Sequence, residues 1–239
     1  MYKVNEAMLT DFYELTMANG YLESGRKDQI VYFDLYYRNN PDRGGYALFA
    51  GLETIIDFID QFSFSQEDID FLKSKKMFSD AFIDYLANFK FSGDMYAFTE
   101  GSVVFPNEPL ITVRAPIIDA QLLETYLLQI INHQTLIATK ASRIQYAAKD
   151  NIVLEMGARR AHGLTSSING AKAAYIGGIA ATSNVLADQF YGVPSGGTMA
   201  HSWVQMFDTE YEAFKTYAEI YPKDSTFLVD TYDTLKSAV

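Results

Sequence analysis

Ile152-Val153-Leu154-Glu155-Met156-Gly157-Ala158-Arg159-Arg160-Ala161-His162-Gly163 is the stretch on which the fold turns. Ile152 to Met156 reads as a short buried strand, and two arginines follow it in a glycine-flanked loop. The same pattern then recurs. Ser166 to Ile176 is a helix that Gly177 and Gly178 can end. Ile179 to Ala181 is a minimal strand, and Asn184 to Tyr191 is a helix closed by Gly192. Gly197 to Ala200 continues the strand series. Thr209 with Glu212 forms a capping box that opens a helix through Glu219, and Thr226 to Val229 is a fourth strand. Strands alternating with helices predict parallel βα units. In βα barrels the chemistry sits at the C-terminal ends of the strands. Here those ends carry Arg159, Ser183, Thr198 with His201, and Asp230.

The expected fold class is therefore α/β. Residues 1–150 form a mixed α/β N-terminal domain with a helical connection, and residues 151–239 the first half of an α/β, TIM-like barrel. Such barrels hold eight strands in about 250 residues. The expectation is thus that the chain is the N-terminal half of something longer, poorly stable and inactive alone. In the first part, Thr10 or Asp11 can cap a helix through Met17 to about Tyr21. Ile30 to Tyr37 reads as a strand, and Ala47 to Phe62 has apolar residues at helical spacing. Ser65 can cap a helix through Leu72. Met95 to Phe98 and Leu110 to Val113 read as strands, and Asp119 to Ala148 as a long helical stretch broken near Asn132.

Hydrophobic residues make up 49% of the 239, enough for a sizeable core. No apolar run reaches the ~18–20 residues of a membrane span, and Met1 to Glu6 carries no apolar signal region. The absence of cysteine excludes disulfides and thiolate nucleophiles. These features predict a cytoplasmic protein with no membrane partner. A net charge of −11 argues against nucleic acid as a partner. Residues 140–172 nevertheless hold six basic residues (Lys140, Arg143, Lys149, Arg159, Arg160, Lys172) against two acidic ones. A basic island in an acidic protein suggests a small anionic ligand. For Lys140, Arg143 and Lys149 the preferred reading is a solvated helix face.

Arg159 offers a planar fork suited to a carboxylate or phosphate, whereas Arg160 is as well suited to a structural ion pair. His201 offers a neutral ring nitrogen as nucleophile near neutral pH. His133 reads as helix packing and His162 as a loop residue. Asp230 and Asp233 follow the fourth strand, and one of them could meet ribose hydroxyls or a Mg²⁺. Thr182 and Ser183 can cap the helix that follows them. Phe12-Tyr13 on an apolar helix reads as core. No phosphate-binding glycine loop of the Walker or dinucleotide type is present, and no resident metal site is expected.

Six segments, in order, resemble the nicotinate phosphoribosyltransferase family: Thr10 to Met17, Phe33 to Arg38, Gly157 to Gly163, Ala181 to Ala187, Gly197 to Trp203, and Leu228 to Asp233. The likeness covers nearly the whole chain. It implies transfer of a phosphoribosyl group from phosphoribosyl pyrophosphate to nicotinate in NAD salvage, with ATP as co-substrate. It implies that ATP phosphorylates His201, and that Arg159 faces the pyridine ring and the phosphoribosyl group. It implies that Thr198 contacts nicotinate and that Tyr13 stacks on the pyridine from a neighbouring subunit. It further implies that Arg38 is a cross-subunit phosphate ligand, hence a homodimer with shared sites. Related nicotinamide-using enzymes carry an aspartate where Ser183 stands. A neutral serine suits the acid, since a second carboxylate would repel it. The alternatives are a nicotinamide or quinolinate phosphoribosyltransferase, or a catalytically silent protein of the same fold.

Overall fold

In the computed structural model, which describes residues 5–239, the N-terminal part is built round a three-stranded antiparallel sheet, with a separate two-stranded antiparallel pair, Ala47–Leu48 with Val103–Val104, beside it. Strand β1 (Ile30–Leu35) is expected from its aromatic and β-branched run, though it stops two residues early. The next strand, β2 (Ala47–Leu48), was not expected. Strands β3 (Asp94–Ala97), β4 (Val103–Val104) and β5 (Ile111–Pro116) follow. β5 lies between β1 and β3, antiparallel to both, with Phe33 opposite Val113 and Met95 opposite the same residue. Ile111, Val113 and Ala115 alternate into the core. Thr112 and Arg114 point outward, reaching Asp34 at 2.6 Å and Asp94 at 2.9 Å. The alternation is that of a sheet with one packed and one wet face.

The helices supply the rest of this core. α1 (Phe12–Glu23), α2 (Leu52–Gln61), α3 (Gln66–Ser74) and α4 (Asp80–Ala87) precede β3. Ser65 caps α3, as its sequence predicts, and the structure adds a complete capping box with Asp68. α4 is not among the expected helices, although Ser79 caps it through Phe82 N–H. The fully buried Phe49, Phe82, Ile55, Leu72, Ile83, Leu86 and Ile118 form the centre of this core.

Two expectations here are corrected. The stretch from Ala47 is not helical throughout. Leu48 and Ala50 donate their N–H groups to the Thr139 and Thr135 hydroxyls, at 2.8 and 3.3 Å, so these residues run extended along a helix of the next segment. Gly51, at φ 112°, then turns the chain into α2. The long helical stretch divides at Leu122–Leu123 rather than near Asn132, giving α5 (Ile117–Gln121) and α6 (Glu124–Ala148). Asn132 is exposed within α6, where asparagine costs propensity without breaking the ladder.

Beyond α6 the βα pattern is real but short. β6 (Leu154–Glu155), α7 (Leu164–Ile176) and β7 (Ala181–Thr182) form one parallel βαβ unit, followed by α8 (Val185–Tyr191). α8 is capped by Asn184, not by Thr182 or Ser183. The expected half barrel is absent: among the described residues the parallel sheet has two strands, not four. Residues 197–200 and 226–229 belong to no ladder. Both lie in a second compact unit, Pro194–Val239, the first being Met1–Val193. There Met199, Val204, Ala213, Trp203, Phe214 and Leu228 bury one another among α9 (His201–Val204), α10 (Glu210–Ile220) and α11 (Thr234–Ser237). Burial without a strand partner satisfies the side chains and leaves the backbone unladdered. Thr209 caps α10 through Glu212 N–H at 3.2 Å, but this is only half of the expected capping box, since among the described residues the cap of α10 has no return bond from the Glu212 side chain.

α6 and α7 pack closely. A Cβ on Gly177 would stand 2.5 Å from Ala138 O and 2.6 Å from Ala141 Cβ. The first obstacle is backbone, so the helices themselves would have to part. Gly177→Ala is expected to cost about 1–3 kcal/mol, typical of overpacking, and to lower Tm by several degrees. Thermal unfolding by circular dichroism checks this, and an unchanged Tm would contradict the close approach.

Candidate active site

Arg159 and Ser183 come together because their strands pair. Glu155 lies opposite Thr182 in the parallel ladder, and Ser183 N–H continues it by donating to Glu155 O at 2.9 Å. Gly157 then starts a single 3₁₀ turn, Ala158–Arg160, that lifts Arg159 from the strand end. Both side chains are exposed, and among the described residues neither the Arg159 guanidinium nor the Ser183 hydroxyl has an intramolecular partner. Arg160 differs, because it donates to Met156 O at 3.1 Å.

The other cations of the basic island are mostly occupied. Lys140 and Arg143 pair with Asp42, and Arg143 also donates to Pro41 O at 2.9 Å and Tyr46 O at 3.0 Å. They clamp the 41–46 loop to α6, so neither is simply solvated. Lys172 is buried, 2.5 Å from Glu53 and 3.6 Å from Glu100, with its ammonium over the Tyr191 ring. Arg159 is thus the cation of the Gly157–Gly163 loop that stays available to a ligand.

A cavity of about 470 Å³ lies behind this loop. It is lined by His133 and Ile137 of α6, by Glu155, Arg160 and His162, and by Ser167 of α7. Sequence reasoning missed Glu155, although a charge inside the apolar run Ile152–Met156 was the available signal. One Glu155 oxygen accepts Gly157 N–H, and the other accepts the Thr182 hydroxyl at 2.6 Å.

Tyr13 and Arg38 are not brought to Arg159. Phe12 and Tyr13 are exposed rather than core, which corrects the packing reading. Tyr13 donates to Glu124 at 2.6 Å, and the bond to that carboxylate, with burial and its charge, pushes the phenol pKa up. The buried Glu14 beside it accepts from Thr10 at 2.7 Å and from Thr125 Oγ1 at 2.5 Å. Burial raises the Glu14 pKa, against the opposing hydrogen bonds. Arg38 is exposed beside Leu128. Glu124 and Leu128 are four residues apart, on one side of α6. His133 is nine residues from Glu124, which is roughly half a turn round and about 14 Å along the helix. Tyr13 and Arg38 therefore flank the face of α6 opposite the Arg159 loop.

In the second unit His201 opens α9, with Nδ1 3.3 Å from Thr231 Oγ1 and Nε2 3.9 Å from Asp230 Oδ1. Asp233 is engaged otherwise, capping α11 and pairing with Lys236 at 3.2 Å. The Thr198 hydroxyl donates to Thr226 O, which joins the two unladdered segments. Only its backbone N–H remains to donate to an anion. No cluster of three metal-ligating side chains occurs among the described residues, and no helix there is long and apolar enough to cross a membrane.

The model of the nicotinate phosphoribosyltransferase N-terminal domain matches residues 8–132. The chain is 47% identical over 230 residues to nicotinate phosphoribosyltransferase of Bacillus subtilis, covering 96% of this chain and 47% of that protein. It is 44% identical over 230 residues to such an enzyme of Mycobacterium tuberculosis, covering 96% of this chain and 49% of that protein. It therefore spans about half the length of the curated relatives it matches. The crystal structure of human nicotinic acid phosphoribosyltransferase superposes with a TM-score of 0.88 at 33% identity, over 95% of this chain and 55% of that one.

Burial holds the His133 pKa below its ordinary value. The unfolded chain then binds the extra proton more readily, so this histidine's contribution is full above about pH 6.5 and lost as pH falls. Relative to His133→Gln, wild-type Tm is expected to drop between pH 7.5 and 5.5. A constant difference would contradict the burial.

Proposed function

The chain belongs to the nicotinate phosphoribosyltransferase family, and from that premise we propose that it carries part of a site transferring a phosphoribosyl group to nicotinate, with ATP consumed. The observation that carries this reading is the Arg159–Ser183 pair, a free guanidinium and a free neutral hydroxyl at one end of the β6–β7 pair. Such a pair suits a carboxylate bound on the cation and not repelled by its neighbour. The nicotinate ring nitrogen attacks C1 of phosphoribosyl pyrophosphate, the bond to pyrophosphate breaks, and pyrophosphate leaves. Charge develops on ribose in the transition state, so positioning and electrostatics supply most of the acceleration. Quinolinate, with two carboxylates, fits less well, because it demands more cationic donors than Arg159 and an Arg160 already donating one N–H to Met156 O supply. Nicotinamide fits less well because Ser183 is not an aspartate.

His201 takes the γ-phosphoryl group of ATP on a ring nitrogen and ADP leaves; water later releases phosphate. Thr231, within hydrogen-bond reach of Nδ1, supports this role by orienting the imidazole, with the Asp230 carboxylate 3.9 Å from Nε2. The exposed Asp230 carboxylate would serve as one ligand to a Mg²⁺ ion held with phosphoribosyl pyrophosphate, or to ribose hydroxyls, whereas Asp233 is engaged. Thr198 offers nicotinate its N–H. Tyr13 and Arg38 serve the site of a second subunit, as their place across α6 from Arg159 supports, and the working unit is then a homodimer. The context is NAD salvage.

Two variants of the complete gene product test this. His201→Ala is expected to abolish ATP stimulation while slow phosphoribosyl transfer persists, seen in assays with and without ATP. Normal stimulation would remove His201 as phosphoryl acceptor. Ser183→Asp is expected to shift relative kcat/KM from nicotinate toward nicotinamide by about 1–3 kcal/mol, the scale of a charged hydrogen bond. An unchanged acid-to-amide ratio would remove Ser183 from substrate choice.

A further inference from the structure

We propose that Glu155 is the positioning residue of this site: one carboxylate fixes both the turn that carries Arg159 and the strand end that carries Ser183. The inference rests on the nicotinate reading for its consequence, though not for its geometry. Glu155 follows Leu154 in β6 and, by the alternation of a strand, points to the face opposite Leu154 and Met156. There one of its oxygens takes the N–H of Gly157, two residues before Arg159. The other takes the Thr182 hydroxyl at 2.6 Å, one residue before Ser183. Thr182 is fully buried, and its oxygen in turn accepts Asn184 N–H at 3.1 Å, on the far side of Ser183. The Glu155 backbone carbonyl holds Ser183 N–H as well. Both loops that present free ligand groups are thus tied to one residue, whose two carboxylate oxygens are taken up by these internal bonds.

The residue type follows from the work. Only a carboxylate accepts hydrogen bonds on two oxygens pointing different ways; glutamine would accept on one and leave the Thr182 hydroxyl proton facing an amide N–H₂. Gly157 is fitted to the same carboxylate. Its φ of −91° is open to any residue, but a Cβ there would stand 2.8 Å from Glu155 Oε1. Alanine at 157 therefore displaces the carboxylate without straining the backbone. The arrangement holds a cation and a hydroxyl at a fixed separation, which a small planar acid requires for simultaneous contact.

The test compares wild type, Glu155→Gln, Glu155→Ala and Gly157→Ala in the complete gene product. Backbone amide exchange is measured over residues 157–162 and 182–185, together with the KM for nicotinate and for phosphoribosyl pyrophosphate, and with ATP turnover in the absence of nicotinate. Glu155→Ala is expected to speed exchange in both segments together and to raise the nicotinate KM at least tenfold. Glu155→Gln should loosen mainly 182–185, with a smaller rise in KM, and Gly157→Ala should resemble Glu155→Ala in kind. ATP turnover, which uses His201, should stay within about twofold, whereas general loss of structure would lower it in parallel. Unchanged exchange in either segment of Glu155→Ala, or an unchanged nicotinate KM, overturns the proposal. If wild type uses no nicotinate at all, the functional reading fails, and the exchange measurement alone still decides whether Glu155 couples the two loops.

Discussion

The contact on which the site depends is the close approach of α6 and α7 at Gly177. Ala138 and Ala141 on one helix and a glycine at the end of the other let the backbones nearly touch. α7 is the crossover between β6 and β7, so its seat on α6 sets where both strand ends emerge. α6 in turn is fixed to the N-terminal sheet and helices by Tyr126, Leu127, Ile130 and Ile131 in the main core. Thr135 and Thr139 add a polar seam by satisfying the extended backbone of Leu48 and Ala50. A two-strand parallel sheet has little strength of its own. The arrangement of Arg159 and Ser183 is inherited from helix packing and from one half-buried carboxylate, Glu155.

The cations between 140 and 172 are used mainly for assembly. Of the six, Lys140, Arg143, Arg160 and Lys172 hold loops, backbone carbonyls or carboxylates of neighbouring elements. Lys172 joins α7 to α2 and to the loop before β4, where Glu100 also accepts Gly51 N–H at 2.7 Å. Lys172 is buried, so removing its carboxylate partners would leave an ammonium with an uncompensated desolvation cost. What remains at the strand ends is a single free guanidinium in a chain of net charge −11, which concentrates local attraction for an anion at one place.

Local signals in the sequence were reliable where the physics is local. The caps at Ser65 and Thr209 and the strand-to-loop change at Gly157 could be read because short-range hydrogen bonding and glycine placement decide them. The half barrel could not, because a strand exists only if a neighbour pairs with it, and residues 197–200 and 226–229 pack into a small separate core instead. Ala47 to Ala50 misled for the same reason: threonines 85 and more residues away claim its N–H groups. Phe12 and Tyr13 resembled core residues by composition, yet α1 turns them outward. Glu155 went unnoticed because its partners, Gly157 and Thr182, become neighbours only through the parallel pairing.

The central claim is that this site handles a pyridine bearing one carboxylate. The direct measurement supplies the complete gene product with phosphoribosyl pyrophosphate, ATP and Mg²⁺, and offers nicotinate, nicotinamide and quinolinate in parallel. Products are identified by mass spectrometry. The account predicts nicotinate mononucleotide and pyrophosphate from nicotinate, with ATP consumed alongside. Preferred turnover of nicotinamide or quinolinate, or no nucleotide from any of the three, would contradict it.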